Sequence, residues 1–183
     1  MADWEDVARQ LVTRRYDALV AYAAMVASSR SSAEDLVQEA LVATFSRPRG
    51  LADVVVAESY VRRAILTRHL DATRKASRER KALARAHQEG VVGEFTAGPE
   101  GQVTIAHDLR WALQQLTPRE RVCVMLRHFE NLSTREAAQA AGISEGSVKR
   151  YLSDGMAKLN AALGTSDEVP DTVPVSAGKG GAR

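Results

Sequence analysis

Apolar residues recur along this chain at helical spacing, and no long β-branched alternation of the kind a half-buried strand needs interrupts them. In residues 4–27, Val7, Leu11, Tyr16, Leu19, Val20, Tyr22, Ala23 and Val26 mark one side of an amphipathic helix or a pair of helical turns. Ser28 to Ser32 reads as a turn, with a capping box at Ser31 and Glu34 or at Ser32 and Asp35. The helix it opens turns Leu36, Ala40, Leu41 and Phe45 inward, with Val37 beside them. Asp35, Gln38, Glu39 and Val42 face elsewhere. Arg47-Pro48-Arg49-Gly50 ends that helix. A loop over Leu51 to Ala57 follows, and a third helix starts near Glu58 with Tyr60, Val61, Ala64, Ile65, Leu66 and Leu70 as its apolar positions.

The pattern then stops. Gly90, Gly93, Gly98, Pro99 and Gly101 punctuate residues 86–104, which carry acids and no Lys or Arg and read as a flexible acidic linker. Helical spacing resumes with Ile105, Leu109, Ala112, Leu113 and Leu116, with Trp111 expected at a seam. Thr117-Pro118-Arg119-Glu120 supplies a cap, Pro at the first helical position and Glu at the third. Val122, Met125, Leu126 and Phe129 pack from that helix.

The stretch from Leu132 to Leu159 predicts helix, tight turn, helix. Ser133 and Glu136 form a capping box, and Gly142 permits a left-handed turn. Ile143 plugs the angle between the helices, and Ser144 caps the second one. Val148, Leu152, Met156 and Leu159 make its apolar stripe, while Glu145, Ser147, Lys149, Arg150, Ser153 and Asp154 point outward. That is the layout of a helix-turn-helix whose second helix enters the major groove. A plain αα-hairpin with a polar outer face shares much of it. Two adjacent cations and short side chains at the helix start favour the DNA-reading form, because Arg and Lys reach guanine edges or phosphates. The tail, residues 165–183, is rich in Pro, Gly and Ser and reads as disordered.

Composition supports an all-α protein: 45% hydrophobic, 26% charged and only 5% aromatic. The net charge of +2 hides an uneven distribution. Residues 58–85 hold nine Lys and Arg against three acids, and residues 110–164 hold eight against five. Two basic blocks around an acidic spacer suggest two contacts with a polyanion. Arg62, Arg63, Arg68, Arg74 and Lys75 head the first block, more cations than snorkelling over a core requires. Cys123, the only cysteine, reads as a buried thiol, so neither a disulfide nor a cysteine-based zinc site is expected. The four histidines have no metal-ligand spacing, no cofactor motif is present, and no catalytic pairing is discernible. With an acidic start at Trp4-Glu5-Asp6 and no long apolar run, a cytoplasmic protein without membrane insertion is expected.

Two separated motifs carry a resemblance. Asp35-Leu36-Val37-Gln38-Glu39-Ala40 looks like the core-binding helix of bacterial sigma factors. Leu116-Thr117-Pro118-Arg119-Glu120-Arg121, with Leu132-Ser133 and Gly142 to Lys149, looks like their upstream promoter-reading domain. In order and spacing, residues 8–163 resemble the extracytoplasmic-function group of RNA polymerase sigma factors, and Tyr60-Val61-Arg62-Arg63 resembles an actinobacterial subgroup.

The resemblance implies an all-α fold of two small helical domains joined by a flexible linker, the second a four-helix domain with the helix-turn-helix. The domains would span 1–85 and 105–164. Asp35, Gln38, Glu39 and Val42 would dock on the largest subunits of core RNA polymerase. Tyr60, Arg62, Arg63, Thr67, Arg68, Arg74 and Lys75 would open and hold the minus-ten element of promoter DNA. Arg135, Glu145, Ser147, Lys149 and Arg150 would engage the minus-35 element. An anti-sigma factor would be a further partner. The chain departs from the pattern at Thr67, where many relatives have Asn, and at Ala72-Thr73, which lack the aromatics of nearby relatives.

Two other classes share some of these features. A conventional regulator binding duplex DNA as a dimer could carry the same helix-turn-helix, but would not need the Asp35–Glu39 helix or the basic third helix. A protein-binding helical adaptor would not need nine cations in residues 58–85.

Overall fold

The computed structural model describes residues 4–48, 50–51, 53–86 and 105–164. The linker expected at 86–104, apart from Ala86, and the tail at 165–183 lie outside the described residues. Three helices form the first half: α1 (Trp4–Ala23), α2 (Arg30–Phe45) and α3 (Val54–Ala86). The second half holds α4 (Ile105–Gln114), α5 (Pro118–Val124) continuing into a π turn (Met125–Phe129), α6 (Thr134–Ala141) and α7 (Glu145–Leu163). Among the described residues there is no strand, as expected for the all-α class.

Two helix starts differ from the sequence reading. Ser29, not Ser31 or Ser32, caps α2, its Oγ accepting from the Ser32 N–H at 3.1 Å. Starting there turns Ala33, Leu36, Val37 and Ala40 into the core, with Leu41 and Phe45 only partly covered. α3 starts at Val54, well before Glu58, because Asp53 Oδ1 accepts from the Val56 N–H at 2.9 Å. Most of the expected loop is therefore helix, and Glu58 lies buried within it. The Glu58 carboxylate is satisfied there by Arg15 at 2.8 Å and Arg62 at 2.9 Å. Leu11, Leu19, Val37, Val61, Ile65 and Leu66 fill the space between α1, α2 and α3.

The second half follows the local signals closely. Thr117 and Glu120 form their reciprocal capping box, as do Ser133 and Glu136. Gly142 sits at φ +61°, the left-handed turn that only glycine adopts without strain. Ser144 accepts from the Ser147 N–H and starts α7. Leu113, Val122, Met125, Leu126 and Val148 are fully buried, with Leu152 and Met156 packed at the edge. Gly155 is also buried: a Cβ there would stand 3.1 Å from Val124 Cγ2 and 3.3 Å from Leu116 Cδ2, so its missing side chain lets α7 cross closely over α5. Trp111, expected at a seam, is 52% exposed. The two halves pack together, α3 lying against α5, the π turn and α6.

Candidate nucleic-acid interface

The first turns of α7 offer the outward surface that the helix-turn-helix pattern requires. Glu145, Lys149 and Arg150 are exposed. Ser147 is half-buried, its Oγ 2.9 Å from that of Ser144, so its hydroxyl serves the cap before it can serve a base. Arg135, exposed on α6, lines a shallow groove with Gly142, Ile143, Ser144 and Glu145. Arg150 is not a freely waving side chain: its guanidinium carbon lies 5.1 Å above the Tyr151 ring. Arg119 donates to the Tyr151 hydroxyl at 3.0 Å, and that bond is the main reason the phenol pKa falls below its ordinary value. Local pattern marks Arg119 only as part of a helix start and gives Tyr151 no role. Their meeting spans α5 and α7, so spacing could not reveal it.

On α3 the cations divide. Arg68 and Lys75 are exposed, as are Arg78, Arg80 and Lys81 beyond them, and Tyr60 is 47% exposed. Arg62, Arg63 and Arg74 are half-buried instead. Arg62 pairs with Glu58, lies 5.4 Å from the Tyr22 ring centre and stands 3.8 Å from the Glu130 carboxylate. Arg74 donates to the Ala141 carbonyl at 2.8 Å. Thr67 is half-buried, with its hydroxyl donating to the Ala64 carbonyl at 3.1 Å. One outward face of α3 therefore carries solvent-exposed charge, with Lys75 4.0 Å from the Glu79 carboxylate, and another is turned toward the second half.

α2 presents Asp35, Gln38, Glu39 and Val42 together on its exposed side. Val42 is 67% exposed, an apolar side chain among three polar ones. Asp35 and Glu39 also border a cleft of about 660 Å³ that reaches across to Gln114, Pro118 and Arg121 of the second half. His69 lies on its wall, pushed down to about 4 by burial, with Arg121 adding to the shift, so the imidazole is neutral at pH 7. Cys123 is buried, and burial raises its thiol to about 11, which keeps it from being nucleophilic. Among the described residues no group of His, Cys, Asp and Glu is arranged to hold a metal ion, and no helix is long and apolar enough to cross a membrane.

Residues 107–159 match the family model for sigma-70, region 4. The chain is 32% identical to the RNA polymerase sigma-E factor of Streptomyces avermitilis over 158 residues, covering 86% of each protein. It is 27% identical to the ECF RNA polymerase sigma factor SigL of Mycobacterium tuberculosis over 146 residues, covering 78% of this chain and 80% of that one. Its fold is similar to the sigma factor RpoE of Bartonella quintana, solved with the anti-sigma factor NepR: TM-score 0.56 at 23% identity, covering 86% of this chain and 97% of that one. With a sigma-70 region 4 over its helix-turn-helix and sigma factors aligned along most of its length, the chain belongs to the extracytoplasmic-function group of RNA polymerase sigma factors.

Proposed function

We propose that this chain, as a sigma factor, binds core RNA polymerase through the exposed side of α2 and directs it to promoters through α3 and α7. Asp35, Gln38 and Glu39 supply charge and hydrogen bonds to the polymerase, and Val42 supplies apolar contact. Arg68 and Lys75 track the backbone of the opened minus-ten strand, with Tyr60 as a stacking surface. Arg62, Arg63, Thr67 and Arg74 join them once their present partners are released. Lys149 and Arg150 read or position the minus-35 element, Glu145 and Ser147 fix the helix start beside it, and Arg135 holds the DNA backbone.

The observation that carries this reading is the doubly capped helix-turn-helix with exposed Lys149 and Arg150, lying within the region 4 match. The chain would have no catalysis of its own; its partner supplies the chemistry. It would work in the cytoplasm, where core polymerase and promoter DNA are found, and an anti-sigma factor would hold it in check, as NepR is found bound to the Bartonella sigma factor.

The test is co-elution of the purified chain with core RNA polymerase on a sizing column at moderate salt. Stoichiometric co-elution is expected. No association, with a dimeric chain that binds duplex DNA by itself, would support a conventional helix-turn-helix regulator instead.

A further inference from the structure

Beside Arg150 on α7 stands Tyr151, half-buried, with its ring packed at the edge of the core. The guanidinium carbon of Arg150 lies 5.1 Å from the centre of that ring. At the other end of the side chain, the phenol oxygen accepts from Nη1 of Arg119 at 3.0 Å. Three side chains from two helices therefore stand in series: Arg119 of α5 holds the hydroxyl, and the ring carries Arg150. Both arginines are exposed.

The main chain beneath this series is held on both sides. Arg119 is the second residue of α5, after Pro118 and inside the Thr117–Glu120 capping box, so its backbone has little freedom. The two helices are also tied close by. A Cβ at Gly155 would lie 3.5 Å from that of Glu120, and Lys158 pairs with the Glu120 carboxylate at 2.8 Å. These contacts fix the separation across which Arg119 reaches Tyr151.

The use of such a support follows from the two kinds of DNA contact open to an arginine. A phosphate takes a cation from many directions and carries no sequence information. Two parallel bonds to O6 and N7 of a guanine require the guanidinium to lie in the plane of the base. An aromatic ring stacks a guanidinium and restricts its rotation, and unlike a carboxylate it does so without neutralising the charge. A tyrosine that only filled the edge of the core would need neither Arg150 over its ring nor Arg119 at its hydroxyl.

We propose that Tyr151 is a positioning residue for promoter reading: fastened by Arg119, it presents the Arg150 guanidinium to a guanine of the minus-35 element and so sets the selectivity of α7 at that base pair. The inference rests on the sigma-factor reading above and adds to it the base read and the residue that makes the reading selective.

The test uses the full chain bound to core RNA polymerase. Its DNA is the duplex that this complex selects from a randomised pool, together with every single-base variant of that duplex. Preference, the ratio of affinities for the selected and substituted duplexes, cancels any uniform contact that Arg119 or Arg150 makes with the DNA backbone. Arg150→Ala should abolish preference at one G·C pair. Tyr151→Leu should lower preference at the same pair by about three- to fivefold and leave the other positions as they were. Added to Arg150→Ala, it should change preference no further. Tyr151→Phe keeps the ring but frees it from Arg119, and should lose only about twofold; Arg119→Gln should match it. If Tyr151→Leu fails to fold, these two variants carry the test. A folded Tyr151→Leu with wild-type preference overturns the proposal. So does a loss spread equally over all sequences, the result of a merely structural role. An Arg150→Ala variant with unchanged preference removes the group that Tyr151 is held to position, and overturns it too. A chain that fails to co-elute with polymerase, or a complex that selects no sequence, would strike the sigma-factor reading itself and the proposal with it.

Discussion

The Lys158 ammonium stands 2.8 Å from both carboxylate oxygens of Glu120, tying the middle of α7 to the first turn of α5. Burial by itself would raise the Glu120 pKa, but Lys158 and the N–H and hydroxyl of Thr117 outweigh it and hold the carboxyl below its ordinary value. Folding therefore favours the charged form. The contribution is complete above the unfolded pKa of about 4.3 and is lost as pH falls through the lower folded value.

Glu120→Gln should cost about 1 kcal/mol at pH 7, since Lys158 is half-exposed and water screens the pair. The cost should shrink progressively as pH falls below the ordinary glutamate range. Urea midpoints of both proteins across that range measure it. An offset that does not change with pH would mean that Glu120 acts through packing.

Two glycines in α7 should respond to alanine with opposite sign. At Gly146 the only nearby atom that a Cβ would meet is Ser144 Oγ at 4.0 Å, so Gly146→Ala should stabilise by about 0.5–1 kcal/mol through helix propensity. At Gly155 the same propensity gain is set against crowding with Val124 and Leu116, and overpacking costs about 1–3 kcal/mol. Gly155→Ala should be net destabilising, and thermal melts of the pair give the contrast directly. A stabilised Gly155→Ala would show that α5 and α7 can separate at little cost.

These features mark where the sequence was legible. The Thr117–Glu120 and Ser133–Glu136 boxes and the Gly142 turn are rules satisfied within a few residues, so they could be read without a structure. The start of α2 is ambiguous in the sequence because Ser28 to Ser32 offers four serines of similar capping power, and tertiary packing of Ala33 and Val37 selects Ser29. The start of α3 is not legible because Val54-Val55-Val56 has poor helix propensity, which the Asp53 cap offsets. Arg121 stands in a charged helix start, yet it is buried and donates to the Val26 carbonyl, 95 residues away. No periodicity carries such a contact. For the same reason the basic character of α3 is visible in the sequence, while the division of its cations into exposed and half-buried ones is not.

Arg150 offers a test of what α7 reads. Held over the Tyr151 ring, it is presented with less freedom than an unsupported arginine. If it contacts a base edge, Arg150→Ala should weaken binding of the polymerase complex to minus-35 DNA by about 1–3 kcal/mol and relax preference at one position. If it contacts a phosphate, the loss should be equal across sequences and the salt dependence should become shallower by about one counterion. Binding measured against a set of single-base variants at two salt concentrations separates the two.

Glu39→Arg probes the polymerase face. Glu39 is exposed on α2, next to Asp35 and Gln38 on the same side. Reversal of its charge should therefore leave helicity and the melting transition within about 0.5 kcal/mol of wild type, as surface changes usually do. Core binding is a different matter. A carboxylate that meets a basic partner contributes both attraction and orientation, and its replacement by a cation adds repulsion at the same point. Loss of co-elution with core RNA polymerase, with an unchanged melt, is the expected outcome. Unchanged affinity would move the polymerase contact off this face of α2 and leave Val42 exposed there without a partner to explain it.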